Sequence, residues 1–200
     1  MRLSLTSILT VASLTVASVA LALASGQDAP PVRSVASLDA QRYSGTWYEL
    51  ARLPNSFQAK CEGNVTATYQ PTGSGAIKVI NRCRAADSTF AVSVGRATPV
   101  KGDDSGAKLK VSFLPTWLRW MPVGRGDYWV VMLDADYRYA VVSEPSREYL
   151  WILSRTPQMD GALYDGIVAR LRADGYPVNR LVQTPQAATA PQVARHVPLV

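Results

Sequence analysis

Few side chains in this sequence could perform catalysis. The one histidine, His196, lies in a Pro- and Ala-rich stretch, where no nucleophile is held beside it for Ser-His-Asp or Cys-His chemistry. The two cysteines, Cys61 and Cys83, are expected to be oxidised, and a disulfide cannot ligate zinc. We therefore predict a protein that is not an enzyme, with no catalytic residue, no metal and no cofactor.

Glu49 is the acidic residue closest to useful chemistry. It follows Trp47 by two positions, so a strand would turn both side chains to the same interior face. An unpaired carboxylate there would be costly and would seek a hydrogen-bonding partner. Glu49 would then orient the polar head of a ligand or anchor the base of the fold. An enzyme that modifies a hydrophobic substrate would have to use Glu49 or a tyrosine, and this alternative stays open.

The amino terminus has the layout of a secretory signal. Residues 1–24 contain one early arginine, an apolar run and an A-x-A arrangement, and Ser and Thr dilute the run more than is usual for the alternative, a membrane anchor. No cysteine stands directly after this segment, so we do not expect a lipid anchor. The sequence predicts an exported protein, periplasmic or secreted, whose association with the outer membrane stays open.

The remaining chain divides into three parts. Residues 25–36 are Pro-rich and polar and are predicted to be a flexible leader, residues 37–183 to be one domain, and residues 184–200 to be a disordered tail. The formal charge of the whole chain is +6, with 21 Lys and Arg against 15 Asp and Glu and no run of either cation. This surplus is compatible with anionic membranes or acidic ligands, whereas nucleic acid is not an expected partner.

Short β-patterned runs, each bounded by Gly, Pro, Asp or Ser, fill most of the domain. Eight runs have this character: 46–53, 64–70, 76–82, 90–98, 107–114, 128–134, 137–143 and 149–154. The second and third flank the turn PTGSG, and pairing around that turn places Cys61 nearly opposite Cys83. In an oxidising compartment the two would form a disulfide; free thiols are the alternative.

One amphipathic helix interrupts the β pattern. Leu163, Ile167 and Leu171 recur every four residues, Asp160 is a suitable N-cap and Gly175 a suitable end. The following VNRLVQ could add a ninth strand.

Eight antiparallel strands with short turns can close as a sandwich or as an up-and-down barrel. In a barrel, the connections after strands one, three, five and seven share the open end. The disulfide and the aromatic loop LPTWLRWMPVGRGDYW (114–129) would then lie on one rim. For Trp117 and Trp120 in that loop, a lid, a membrane contact and simple exposure all remain open.

Three stretches carry a family resemblance. YSGTWYELARLP (43–54) resembles the lipocalin G-x-W signature, YWVVMLDADYRYAVV (128–142) is similar to the second lipocalin signature, and YLWILSRTP (149–157) resembles the third. The form of the first is similar to bacterial outer-membrane lipocalins and apolipoprotein D. The similarity runs from about Leu38 to Val182.

The resemblance implies the fold: an all-β, eight-stranded antiparallel up-and-down barrel, the lipocalin calyx, with one C-terminal α-helix packed outside. It places Arg155 over the indole of Trp47 at the closed end, beside Gly45, as a cation-π contact with a structural role. By the same logic Asp134, Asp136 and Tyr137 fix a loop and close the core at that end.

The resemblance also implies a cavity for a small apolar molecule. In the relatives the tryptophan before ILxR lines that cavity, and this role is carried onto Trp151, with a solid core as the alternative. Alternation and loop position add Tyr149, Leu153 and Trp117, with Glu49 as a polar contact. Arg119 and Arg125 would lie near a carboxylate or phosphate head.

The predicted function is to bind and store or transport a small hydrophobic ligand, most simply a fatty acid or lysophospholipid, in the cell envelope. An interaction module with a solid barrel, touching membrane through its aromatic loop, is the third alternative. The sequence leaves the oligomeric state open.

Overall fold

A computed structural model describes residues 29–118 and 124–187 of the chain. The predicted signal segment 1–24 and residues 188–200 of the predicted tail lie outside the described residues, as do Arg119 and Trp120 of the aromatic loop. No helix in the described part is long and apolar enough to span a lipid bilayer.

The described chain forms nine strands and two α-helices. The strands are β1 (Gly45–Arg52), β2 (Cys61–Pro71), β3 (Ile77–Ala85), β4 (Phe90–Pro99), β5 (Lys108–Ser112), β6 (Arg125–Leu133), β7 (Tyr139–Ser143), β8 (Leu150–Ser154) and β9 (Val182–Gln183). The helices are α1 (Ala40–Tyr43) and α2 (Gly161–Ala173), and three short 3-10 helices cover Ser56–Gln58, Thr116–Leu118 and Val178–Arg180.

The first eight strands form a closed antiparallel barrel. Each strand from β1 to β8 pairs with the next, and β1 also pairs with β8, where Glu49 lies opposite Leu153. The ninth strand adds to the outside of this closure, with Gln183 opposite Ala51. The predicted barrel, its eight strands and the additional ninth strand are confirmed.

A bulge in β1 divides that strand between two apolar cores. The register against β8 shifts between Glu49 and Ala51, so the alternation of side chains reverses there. Trp47 belongs to the core inside the barrel, whereas Ala51 belongs to a second core between the barrel wall and α2. The sequence pattern of β1 does not reveal this change of face.

Helix α2 covers the outer core as predicted. The Asp160 carboxylate accepts a hydrogen bond from the Leu163 N–H at 3.0 Å, and Gly175 follows the helix with a φ of +83°. Ile167 and Leu171 are buried against the barrel. Leu163, the remaining residue of the predicted apolar stripe, is 37% exposed.

The ordered domain is wider than the predicted 37–183. Within the predicted leader, the Val35 N–H donates to the Val130 carbonyl at 2.8 Å, and Val32 packs against the outer core. Within the predicted tail, the Gln186 side chain donates to the backbone carbonyls of Glu49 and Val65. Both segments bind backbone groups of the barrel, so residues 29–36 and 184–187 belong to the folded unit.

Cys61 and Cys83 form the predicted disulfide, with their Cα atoms 5.5 Å apart. Cys61 lies opposite Ala85 in the β2–β3 ladder because two register shifts interrupt the pairing between Cys61 and Thr66. The bridge therefore ties the irregular start of β2 to the end of β3 at the open end of the barrel.

Loss of the disulfide is expected to destabilise the protein measurably. Replacing both cysteines, C61S/C83S, frees a loop of 22 residues and should lower the free energy of unfolding by about 3 kcal/mol in urea denaturation. Wild-type protein kept in reductant should show the same loss. A loss in the double variant that reduction does not reproduce would contradict the loop-closure explanation.

Candidate functional site

The barrel is hollow. A cavity of about 750 Å³ occupies its interior and opens at the end where the β1–β2, β3–β4, β5–β6 and β7–β8 connections lie. This volume is within the range of small-molecule sites. The solid-barrel alternative is therefore wrong, and the cavity is the candidate functional site.

The cavity brings together four of the five residues predicted to bind ligand. Tyr149, Trp151 and Leu153 line it through the alternation of β8, and Glu49 lines it from β1. Trp117 is not among the described lining residues: it lies in the 3-10 helix Thr116–Leu118 and is 72% exposed. Its neighbour Trp120 lies outside the described residues.

Glu49 is buried and fully engaged. Its Oε1 accepts hydrogen bonds from Arg52 Nη1 at 3.1 Å and from Thr184 Oγ1 at 2.5 Å. Its Oε2 accepts one from Gln58 Nε2 at 2.7 Å. Because both oxygens accept hydrogen bonds from the protein, Glu49 holds three segments together. To act as a general base, Glu49 would first have to break one of these hydrogen bonds.

Gln58 fixes the loop between β1 and β2 over the mouth. Besides its bond to Glu49, its Oε1 accepts hydrogen bonds from Trp151 Nε1 and from Asn55 Nδ2, each at 2.8 Å. The preceding Phe57 lies with its ring centroid 5.6 Å from that of Tyr149 and 6.2 Å from that of Trp151. The mouth therefore carries an aromatic cluster of Phe57, Tyr149 and Trp151 held by one amide side chain.

Glu144 is a second buried carboxylate at the rim, and its hydrogen-bonding capacity is filled by donors in the same β7–β8 turn. It accepts hydrogen bonds from the backbone N–H groups of Ser146, Glu148 and Tyr149 at 2.6 to 3.1 Å. This arrangement positions the β7–β8 turn, and through it Tyr149, at the edge of the cavity.

The described mouth also carries cations. Lys60, Arg82 and Arg125 line the cavity near the start of β2, the end of β3 and the start of β6, although the Arg82 guanidinium itself turns outward onto the Phe90 ring. Asp127 lines it as well, and its carboxylate pairs with Lys110 Nζ at 2.7 Å. The predicted head-group residue Arg125 thus lies on the cavity, whereas Arg119 lies outside the described residues.

Trp47 and Arg155 meet at the closed end. The Arg155 guanidinium carbon lies 3.9 Å from the Trp47 ring centroid, and the guanidinium donates to the carbonyls of Thr46 and Arg42. Burial lowers the pKa of Arg155 from its ordinary value. Gly45 has a φ of +90°, and a Cβ there would lie 3.3 Å from the Arg155 guanidinium, so glycine permits both the turn and the close approach.

Asp134, Asp136 and Tyr137 form the tight β6–β7 connection at the same end. Asp134 accepts from the N–H groups of Asp136 and Arg138 and from the Arg138 guanidinium at 2.8 and 2.9 Å. The Arg138 hydrogen bond lowers the pKa of Asp134 to about 2. Tyr137 has a φ of +58° and accepts at its hydroxyl from the Asp39 N–H, which ties α1 to this loop.

Sequence reasoning missed several residues of the site. Gln58, Phe57 and Thr184 lie in irregular segments without apolar periodicity, and Glu144 lies next to a turn whose hydrogen bonds no pattern reveals. One local signal existed, since Asn55 stands three residues before Gln58 and its side chain accepts from the Gln58 N–H, as a capping residue does.

The described residues do not form a metal-binding site. Among residues 29–118 and 124–187, no three His, Cys, Asp or Glu side chains are grouped to hold a metal ion.

Comparison with known proteins places this barrel and cavity in a family. The model of the lipocalin-like domain matches residues 38–186. The chain belongs to the lipocalin family, whose members bind small hydrophobic ligands and are typically carriers rather than enzymes.

Curated relatives come from plants, bacteria and animals. The chain is 42% identical over 161 residues to temperature-induced lipocalin-1 of Arabidopsis thaliana, covering 79% of this chain and 84% of that one. It is 38% identical over 176 residues to the outer membrane lipoprotein Blc of Citrobacter freundii, covering 88% and 95%. It is 31% identical over 164 residues to apolipoprotein D of Macaca fascicularis, covering 78% and 80%.

Solved structures share the fold at low identity. Insecticyanin of the tobacco hornworm Manduca sexta matches with a TM-score of 0.64 at 18% identity, covering 82% of this chain and 88% of that one. The cockroach allergen Per a 4 matches with a TM-score of 0.58 at 22% identity, covering 77% and 92%.

The Asp134 carboxylate is expected to make stability depend on acid. Because its pKa is about 2 in the folded protein and higher when unfolded, its stabilisation is present above about pH 4 and is lost as pH falls towards 2. Asp134→Asn should cost about 1 kcal/mol at neutral pH, after solvent screening of the exposed Arg138, and almost nothing near pH 2. Urea denaturation at each pH measures this difference, and a cost independent of pH would contradict it.

Proposed function

We propose that this lipocalin stores or carries a fatty acid or lysophospholipid in its barrel cavity, in the cell envelope. The observation that carries the proposal is the open cavity of about 750 Å³ with an apolar interior and a charged rim. An amphiphile with one hydrocarbon chain matches that distribution of polarity.

The inner wall supports the hydrocarbon part of the ligand. Four strands present apolar side chains to the cavity without competing hydrogen-bonding groups: Val65, Ala67, Val79, Val111 and Leu153. An acyl chain placed against them would gain roughly 25 cal/mol for each Å² removed from water, before the costs of association.

The rim supports the head group. Lys60 and Arg125 supply positive charge where a carboxylate or phosphate would stay in contact with water. The two buried rim carboxylates, Glu49 and Glu144, are already bound to donors of the protein, which lessens their repulsion of an anion.

The cellular location is proposed from three observations. The first 24 residues resemble a secretory signal, and the disulfide fits an oxidising compartment. Relatives named as outer membrane lipoproteins cover most of the chain. We therefore place the protein in the periplasm or outside the cell, next to membranes that contain its ligand.

A second candidate function is contact with a membrane surface at the mouth. Most of the large apolar side chains that are exposed in the described chain lie at this end or on the outer face of β4. We call this set the mouth-side apolar surface: Phe57, Phe90, Val92, Val94, Phe113 and Trp117. Arg82, whose guanidinium lies 3.7 Å from the Phe90 ring centroid, adds positive charge suited to anionic lipid.

Fatty acid binding is expected to depend on Trp151. Titration of delipidated protein with palmitic acid should give a saturable change in tryptophan fluorescence, and Trp151→Ala should weaken binding about tenfold by removing wall area and releasing Gln58. Trp117→Ala, which alters an exposed tryptophan, is the matched control and should bind like wild type. Equal binding by Trp151→Ala and wild type would contradict a ligand in this cavity.

Membrane contact predicts a difference between two exposed apolar sites. In flotation with vesicles rich in phosphatidylglycerol, Val92→Ser/Val94→Ser should reduce the bound fraction roughly tenfold, because two apolar side chains no longer enter the bilayer interface. Leu163→Ser, on the outside of α2, should leave flotation unchanged. Equal flotation of all three proteins would remove the mouth-side apolar surface as a membrane contact.

A further inference from the structure

Three tyrosine hydroxyls form a hydrogen-bonded chain at the base of the cavity. The Tyr43 and Tyr128 hydroxyl oxygens lie 2.7 Å apart, and the Tyr128 hydroxyl donates to the Tyr69 hydroxyl at 2.8 Å. The three side chains come from α1, β6 and β2, and the rings of Tyr43 and Tyr69 lie with centroids 5.2 Å apart. None of these contacts involves a residue of the cavity mouth.

The direction of the chain follows from counting protons. A phenol carries one proton, and Tyr128 donates its proton to Tyr69. Tyr43 must therefore donate to Tyr128. The Tyr69 hydroxyl accepts within the chain, and its own proton has no acceptor among the side chains and backbone groups of the described residues. The chain thus ends in a donor.

That donor faces the cavity. Tyr69 and Tyr128 line it, whereas Tyr43 is buried behind them. Tyr69 lies opposite Gly45 on β1, at the closed end, and opposite Val79 on β3. The hydroxyl is therefore surrounded by apolar wall at the end of the cavity farthest from water, where an unused donor is costly.

The neighbouring tyrosines strengthen this donor. Each hydroxyl in a hydrogen-bonded chain polarises the next, and the effect is larger in a poorly solvated interior. Burial raises the pKa of Tyr43, Tyr69 and Tyr128. All three therefore stay neutral near neutral pH, and Tyr69 keeps the proton that it can donate.

We propose that the Tyr69 hydroxyl is a deep polar subsite, which binds a neutral oxygen at the inner end of an otherwise hydrophobic ligand. This proposal rests on the proposed carrier function and adds a ligand class to it: chains or ring systems whose leading end bears a hydroxyl or carbonyl group.

A carboxylate does not fit this subsite. The cations that line the cavity, Lys60, Arg82 and Arg125, belong to its mouth half, while the charge felt at Tyr69 is that of Glu49. An anion at the base would be buried without a partner cation. An oxygen of a neutral group needs only the one hydrogen bond that Tyr69 can donate.

The test compares fatty acids with their ω-hydroxy counterparts. Lauric, myristic and palmitic acid and the three ω-hydroxy acids are titrated by calorimetry into wild type and Tyr69→Phe, a change that removes one hydroxyl and keeps the ring. At the chain length that reaches the base, Tyr69→Phe should weaken the ω-hydroxy acid about 3- to 10-fold and leave the parent acid unchanged. Tyr149→Phe, which removes a hydroxyl at the mouth, is the matched control and should not distinguish the two.

The outcomes separate the two proposals. If parent acids bind but Tyr69→Phe affects both series equally at every length, the deep subsite is wrong and the carrier function stands. If neither series binds wild type saturably, the carrier function fails and the subsite fails with it. Should Tyr69→Phe not fold, Tyr128→Phe replaces it. Because this change removes the polarising neighbour of Tyr69, it should still weaken binding of the ω-hydroxy acid selectively. An equal effect on both series overturns the subsite.

Discussion

The stack of Arg155 on Trp47 closes the base of the barrel, and the cavity depends on that closure. Eight strands enclose a space that would be open at both ends without a plug. Trp47 is fully buried, donates from its indole to the Tyr43 carbonyl, and carries the Arg155 guanidinium on its face. Arg155 in turn donates to the Arg42 carbonyl in α1 and to the Thr46 carbonyl in β1, so one cation joins the first strand, the first helix and the segment after the eighth strand.

The mouth is held by a different kind of interaction, a buried carboxylate shared by distant segments. Glu49 receives donors from its own strand, from the β1–β2 loop and from the segment after β9. A buried charge is tolerated only when its hydrogen-bonding capacity is filled, so these segments stabilise the open end together. The loop that bears Phe57 is therefore connected to the C-terminal end of the folded domain, which explains why residues 184–187 are part of it.

Between base and mouth the cavity is graded in polarity. Apolar strand residues line the middle of the cavity, the hydrogen-bonded tyrosine hydroxyls lie at its base, and charged residues surround its opening. The family shares the barrel across plant, bacterial and animal relatives, but a shared fold leaves the choice of ligand to a few lining positions. In this chain those positions are polar at the two ends of the cavity.

Local chemistry in the sequence was enough to determine the strands, the hairpin with its disulfide and the capped outer helix. Alternation, turn residues and capping act over two to four positions, so Tyr149, Trp151 and Leu153 could be placed on one face of their strand from their spacing, while the resemblance identified that face as the cavity wall. The resemblance of three signatures then selected the barrel over the sandwich. Helix α1 is too short to show periodicity and was not predicted.

Only the tertiary structure decided which polar groups meet. Glu49 and Thr184 are 135 residues apart, Tyr69 and Tyr128 are 59 apart, and the bulge that turns Ala51 outward appears only in the pairing of β1 with β8. Such partners are brought together by closure of the sheet, and no local pattern encodes the distance between them. The apolar wall is thus a property of strand periodicity, whereas its polar ends are a property of the closed barrel.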